Sequence, residues 1–244
     1  MRKWGRERGK SIMGVPLPEE LYAATFLDRP NRFTVRAWCR GSVVQAFLAD
    51  PGRLVELLQP GVELYLTRRE VPARRTQFDV VLARHGEVLV ALDSRLPNKV
   101  FAQAVRSGEL PEFEGYDRLQ PEVRVGDSRL DFLLTAPGKP PCYVEVKSVT
   151  LVIDGEGRFP DAPTTRGSRH LQELMGLKAR GYRAAVVFLI QREDAGRFAP
   201  NEGTDPLFAR TLQQAAGLGV EVWAYRCRVD LKEIRLGRRV EVNL

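Results

Sequence analysis

The stretch CYVEVKSVTL, residues 142–151, reads as a strand. Val144, Val146 and Val149 fall among its apolar positions, while Glu145 and Lys147, two residues apart, point the same way. A mostly buried strand that holds an acid beside a base has two readings. One is a solvated face with a cross-charge pair; the other is a metal site with a lysine next to it.

The neighbouring sequence supplies context. Two further strands precede it, QPEVRVG (120–126) and SRLDFLLT (128–135), and the turn-rich APGKPP (136–141) joins the last pair. Before them, Asn98 is expected to cap a helix through KVFAQAVRSG (99–108), with Val100, Ala104 and Val105 as its apolar stripe and Gly108 as its stop. After them, DGEGRFPDAPTTRG (154–167) looks irregular, and a helix is expected from about 168 to 180 with Leu171, Leu174, Met175 and Leu177 on one side. The near-continuous apolar run YRAAVVFLIQ (182–191) suits a strand buried on both faces. A helix, DPLFARTLQQAAGLG (205–219), and a strand, VEVWAYRCRV (220–229), complete the layer.

That order, αβββαβ, is the order of the PD-(D/E)XK nuclease core, and the charged residues fall where such a core needs them. Asp131 lies on the second strand; Glu145 and Lys147 form E-x-K on the third. Adjacent strands are about 4.8 Å apart, so their carboxylates can share a divalent ion. Mg2+, or Mn2+ in its place, suits oxygen ligands and retains several waters. Lys147 would help orient or deprotonate an attacking water. Glu122 is a candidate third metal ligand, with a solvated edge position as the alternative. Alone, E-x-K reads more readily as a salt pair than as a metal site.

Thr164, Thr165 and Arg166 precede the second helix, where capping and phosphate binding by backbone N–H groups are both open. Arg166 and His170, one helical turn apart, can face a scissile phosphate; a surface position for His170 is the alternative. Asp161 is expected to tie down the loop, unless Pro160 and Pro163 alone build its turn. Arg124 and Arg129 flank the site strands as phosphate contacts.

The first ninety-odd residues alternate in five short runs: 32–39, 42–49, 61–70, 77–86 and 87–93, separated by Gly41, DPGR, LQPG, VPARRT and His85-Gly86. Five such strands suit a small OB-like β-barrel. Arginines at 29, 32, 36, 40, 53, 68, 69, 74 and 75 are candidates for a nucleic-acid face, with Arg32, Arg36 and Arg53 foremost; a solvated exterior would use the same residues. The expected division is a basic tail (1–16), the barrel (17–95) and a nuclease-like αβββαβ domain (96–244).

Over 244 residues the net charge is +7, carried mostly by arginine, whose fork of donors matches phosphate oxygens. Cys39, Cys142 and Cys227 are odd in number and share no CxxC spacing, which argues against a disulfide framework or zinc knuckle and for a reducing cytoplasm. No apolar run is long enough for a signal peptide or membrane helix. With no helix-turn-helix or zinc-finger pattern, low sequence preference is expected.

EVRVGDSRLDFLLT, CYVEVKSVTLV, FPDAPTTRGSRHLQELMGLKARGYRAAVVFLIQR and RFAPNEGTDPLFARTLQQAAGLGVEVWAYRC together resemble the sugar fermentation stimulation protein A family, from about Asn31 onward. The resemblance implies an OB-like domain followed by a nuclease-like domain, DNA binding of low sequence preference, and stimulation of sugar utilisation, especially of maltose. It also favours His170 as an accessory of the active site. One departure stands in AFLADPGRL: Phe47 replaces an expected histidine and Asp50 lies near an expected asparagine, while Gly52 and Arg53 fit.

Two functions follow. One is a Mg2+-dependent phosphodiesterase on DNA or RNA, with Asp131 and Glu145 as ligands and Lys147 activating water. The other is a non-catalytic DNA-binding regulator of sugar metabolism. A third, binding of a small acidic metabolite, has no motif. The last strand, VEVWAYRCRV, is expected at a sheet edge, where it could pair two copies into a homodimer.

Overall fold

The structure is a computed structural model that describes residues 14–69 and 76–244. Arg74, Arg75 and the tail through Met13 lie outside the described residues.

Strand β1 (Val15–Pro16) is followed by β2 (Tyr22–Asn31), β3 (Thr34–Cys39), β4 (Ser42–Phe47), β5 (Glu63–Arg68), β6 (Phe78–His85) and β7 (Val88–Ala91). The order β4-β3-β2-β5-β6 closes through a parallel β4–β6 pairing, giving a five-stranded OB-like barrel. Its membership differs from expectation. β2 belongs to the ring, whereas β7 is the hairpin partner of β6. Ala24 and Phe26 point into the barrel and Ala23, Thr25 and Leu27 outward, so β2 is apolar on both faces and shows no alternation in sequence.

Next come helix α1 (Leu96–Ser107) and strands β8 (Arg118–Val125), β9 (Ser128–Thr135) and β10 (Cys142–Val149). The short β11 (Val152–Ile153) and β12 (Glu156–Phe159) lead to α2 (Thr165–Ala179) and β13 (Arg183–Ile190). The chain continues through β14 (Arg197–Pro200), α3 (Pro206–Gly217), β15 (Glu221–Val229), β16 (Glu233–Arg239) and β17 (Glu241–Val242). The αβββαβ order is present, in a sheet ordered β1-β16-β15-β13-β10-β9-β8. β11, β12, β14 and β17 form a small separate sheet, so the stretch at 154–167 is only partly irregular.

Local sequence explains the helix ends. Gly108 stops α1 in the left-handed region, at φ 75°, where a side chain would be strained. Pro97 in the first turn moves the start of α1 ahead of Asn98, which is therefore inside the helix and not its cap. Thr164 caps α2 by accepting from Gly167 N, and Asp205 caps α3 by accepting from Phe208 N.

The expected dimer edge is overturned. β15 is interior, paired parallel to β13 on one side and antiparallel to β16 on the other. Its backbone groups are committed within the chain, so it offers no edge to a second copy. β1, within the expected tail, pairs with β16.

α1 packs on one face of the large sheet; α2 and α3 pack on the other. The core on the α1 side joins Phe101, Val144 and Val187 to Tyr65, Val81, Leu82 and Ala91 of the barrel strands. Barrel and sheet thus share a hydrophobic core, reinforced where Ala91 N donates to Gln191 O at 3.0 Å.

Candidate active site

β9 and β10 pair antiparallel only at Cys142↔Leu134, Tyr143↔Leu133 and Val144↔Phe132. Beyond this the backbone ladder stops, and the Asp131 side chain spans the gap: its Oδ2 accepts from Val146 N at 2.8 Å. The split satisfies a backbone donor that a continuous ladder would have used and turns the Asp131 carboxylate toward β10. Its Oδ1 accepts from Asn98 Nδ2 at 2.8 Å, so α1 fixes the rotamer from the other side.

Alternation along β10 sends Val144 and Val146 to the α1 side and leaves Glu145 and Lys147 on the face covered by α2. Glu145 is buried, and Lys147 Nζ donates to its Oε1 at 2.6 Å. His170, on α2, is also buried and contacts the same Oε1 through Nδ1. Arg166 Nε, one turn earlier, donates to His170 Nε2 at 3.3 Å. A ring that accepts at Nε2 carries its proton on Nδ1, so His170 donates to Glu145. Glu145 Oε2 is buried and has no hydrogen-bond partner.

The electrostatics separate the two acids. Burial, and secondarily the Glu145 charge, push the Asp131 carboxyl up to about 6. Burial alone would also raise Glu145, but the Lys147 charge and the His170 hydrogen bond bring it below its ordinary value. Glu145 is therefore held as an anion, while the Asp131 carboxyl is pushed up to about 6. Two carboxylates, one with an unsatisfied buried oxygen, are a donor set suited to a hard divalent cation that keeps waters in its shell.

The structure brings together Asp131, Glu145, Lys147 and His170 as expected, and adds Asn98, which the reading as a cap had concealed. Glu122 does not join them. It is exposed, at φ 54°, and pairs with Arg129 at 3.1 Å, which corrects its assignment as a third ligand. Among the described residues no group of three or more His, Cys, Asp and Glu is placed to hold a metal.

The phosphate-contact candidates divide similarly. Arg36 is engaged by Asp28, and Arg129 by Glu122. Arg32, Arg53, Arg124, Thr165 and Arg166 are exposed. Two of these are linked through the backbone: Asp161 Oδ2 accepts from Leu54 N at 2.7 Å, which ties the loop carrying Arg53 to the loop that leads into Arg166. Asp161 thus does tie down a loop, but that of the barrel. Gly52 sits in the same contact, where a Cβ would meet Asp161 Oδ2 at 2.8 Å and Asp50 Oδ1 at 3.0 Å. Asp50 is buried and accepts from Gly52 N at 2.8 Å.

The family described as "Sugar fermentation stimulation protein RE domain" matches residues 95–233, and "SfsA N-terminal OB domain" matches residues 27–92. A sugar fermentation stimulation protein homolog of Moorella thermoacetica is 58% identical over 231 residues, covering 94% of this chain and all of that one. A homolog of Chloroflexus aurantiacus is 48% identical, covering 96% and 91%. The solved structure of Pyrococcus furiosus SfsA in complex with Ca2+ is 31% identical and superposes with a TM-score of 0.87, covering 97% of this chain and 100% of that one.

Proposed function

The chain belongs to the sugar fermentation stimulation protein family, and we propose that it is a DNA-binding protein of low sequence preference with a divalent-cation-dependent phosphodiesterase site. In this reading the barrel segment, 17–95, guides the strand and the segment 96–244 carries the chemistry, in a cytoplasmic setting. The observation that carries it is the buried, unpartnered Oε2 of Glu145 beside Asp131 and Lys147. An unpaired buried carboxylate oxygen costs about 1–3 kcal/mol or more, a cost that a ligand relieves.

Asp131 and Glu145 would hold Mg2+ or Mn2+, which when bound stabilises negative charge developing on a phosphoryl group. The protein's own groups have separable tasks. Asn98 and Val146 N–H hold the Asp131 carboxylate in place. His170, oriented by Arg166, holds Glu145 from the α2 side. Lys147, only 11% exposed at its side chain, orients the attacking water and balances the acids. Arg166, exposed at the helix entry, meets the phosphate.

The absence of a three-residue acidic or histidine cluster among the described residues favours a second reading, a non-catalytic DNA-binding regulator of sugar metabolism. One experiment separates them: incubation of labelled single-stranded and duplex DNA with Mg2+ or Mn2+, using wild type, Lys147→Ala and Asp131→Ala, with gel-shift binding in parallel. The phosphodiesterase reading expects metal-dependent cleavage that both variants lose while binding persists. Salt-sensitive binding without cleavage under either metal, unchanged in Lys147→Ala, supports the regulator.

A further inference from the structure

The entry to α2 is held from the α3 side by one buried acid. Asp205 spends both carboxylate oxygens on backbone donors: Oδ1 accepts from Phe208 N at 2.9 Å, capping α3, and Oδ2 accepts from Thr164 N at 2.8 Å, at the residue that caps α2. The same turn grips the segment before it, because Asn201 N donates to Phe159 O at 2.7 Å and Asn201 Nδ2 donates to Pro160 O at 3.0 Å. The Phe159 and Phe208 rings meet edge to face, with centroids 5.1 Å apart. Gly167 completes the contact. A Cβ there would lie 2.7 Å from Thr164 Cγ2 and 3.2 Å from Phe208 Cδ2, so the first turn of α2 lies closer to α3 than a side chain allows.

This anchor bears on the site because α2 delivers Arg166 and His170 to it. Successive residues of a helix are turned by about 100°, so a modest rotation of α2 about its axis carries the His170 ring off Glu145 Oε1. Thr164 is where that rotation is set: Asp205 holds its N–H, its Oγ1 accepts from Gly167 N at 3.0 Å, and its carbonyl accepts from Ser168 N at 3.3 Å. Resting on the proposed phosphodiesterase reading and deepening it, we propose that Asp205 is a positioning residue of that site. It fixes the rotation and axial position of α2, and so seats His170 on Glu145 and Arg166 at the helix entry. Its action passes through the backbone of Thr164, and not through the reacting groups.

The chain has two histidines, His85 exposed on a barrel turn and His170 buried, so NMR of the ring nitrogens reads the site with an internal control and with neither metal nor DNA present. Wild-type His170 is expected as the Nδ1–H tautomer with a protected Nδ1 proton. Asp205→Asn can still accept from Phe208 N but offers Thr164 N no second oxygen. Its His170 Nδ1 proton should exchange about tenfold faster or more, and the ring nitrogens should shift, with His85 unmoved. Gly167→Ala pushes α2 away from Phe208 with Asp205 intact; it should move His170 as well, and it decides the matter if Asp205→Asn does not fold. Tyr225→Phe removes a hydrogen bond to Glu112 on the α1 side of the sheet and controls for lost stability; it should leave both histidines unmoved. In metal-dependent cleavage, Asp205→Asn should lower kcat about tenfold or more while KM stays within about twofold. An unchanged His170 in both α2 variants overturns the inference, as does an equal shift in Tyr225→Phe. A wild type that cleaves no DNA overturns the proposed function alone, and the His170 signals then still support or overturn the placement of α2 by Asp205.

Discussion

Two acidic pairs lie in this molecule, and they are built alike up to one atom. At the junction of barrel and sheet, Asp50 accepts from Gly52 N, and Asp161 accepts from Leu54 N. Under the α2 helix, Asp131 accepts from Val146 N, but Glu145 faces only side chains and keeps Oε2 without a partner. In each pair one carboxyl is raised to about 6, Asp50 mainly by burial with Asp161 contributing, and Asp131 mainly by burial with Glu145 contributing. Burial and a raised carboxyl therefore do not distinguish a structural acid from a chemical one. The distinction lies in Glu145: Asp131 accepts on both of its oxygens, whereas Glu145 keeps a buried Oε2 that no donor of the chain meets. Asp50 and Asp161 close a loop; Glu145, beside Asp131, retains capacity for a ligand.

The largest expected effect breaks the comparison on catalysis. Asp131→Ala should lower metal-dependent cleavage by about a hundredfold or more, whereas Asp161→Ala, which leaves the αβββαβ core intact, should lower it far less. Single-turnover cleavage assays on the two variants check this ordering.

Stability should not follow that order, because the acids of both pairs satisfy donors of the chain. Asp161→Ala leaves Leu54 N without its acceptor and is expected to cost about 1–3 kcal/mol in urea unfolding. Glu145→Gln keeps an Oε1 acceptor for Lys147 and His170 but leaves the largely buried Lys147 without its charged partner, so its unfolding midpoint should fall as well.

The raised carboxyls predict opposite pH dependences for two readouts. Because Asp50 is pushed up to about 6 in the folded protein, the unfolded chain releases this proton first, and stability falls as pH rises from about 4 to 6. Asp50→Asn should flatten that part of the stability profile while keeping an acceptor for Gly52 N. Asp131 must lose its proton to bind a cation, so Mn2+ affinity should fall as pH drops below about 6. Calorimetric titration across that range checks it.

The smallest effect concerns a residue that the sequence put forward. Arg36 is held by Asp28 on an exposed strand pair, so Arg36→Ala should leave both DNA affinity and thermal midpoint nearly unchanged, while Arg53→Ala should reduce the salt slope of DNA binding by about one. Equal slopes for the two variants would remove the distinction between them.

Most of the second domain was legible because its elements obey local rules. The apolar run at 182–191, the stop at Gly108 and the alternation around Asp131 and Glu145 all follow from periodicity and turn chemistry. What escaped was decided by tertiary contacts. β2 hid because Ala23 and Leu27 on its exposed face are as apolar as Ala24 and Phe26 inside, so its sequence does not alternate. β16 completes the sheet where Gly237 lets the chain approach Arg226, a Cβ there lying 2.5 Å from Arg226 O; that closeness is invisible in a charged stretch such as EIRLGRR. At the site, Asp131, Glu145, Lys147 and His170 were readable from strand order, spacing and family resemblance. Asn98 was not, because its partner lies 33 residues away on another element. Glu122 misled because the register of β8 and β9 does place it opposite Asp131, but its left-handed backbone and its pairing with Arg129 keep it in solvent.

The central claim is that Asp131 and Glu145 form a cation site while Asp50 and Asp161 form a joint. Mn2+ titration calorimetry at pH 7.5 on wild type, Glu145→Gln and Asp161→Asn tests it most directly, at about 1.5 pH units above the Asp131 carboxyl. The account predicts binding by wild type and by Asp161→Asn, and its loss in Glu145→Gln. Undiminished Mn2+ binding in Glu145→Gln would contradict it.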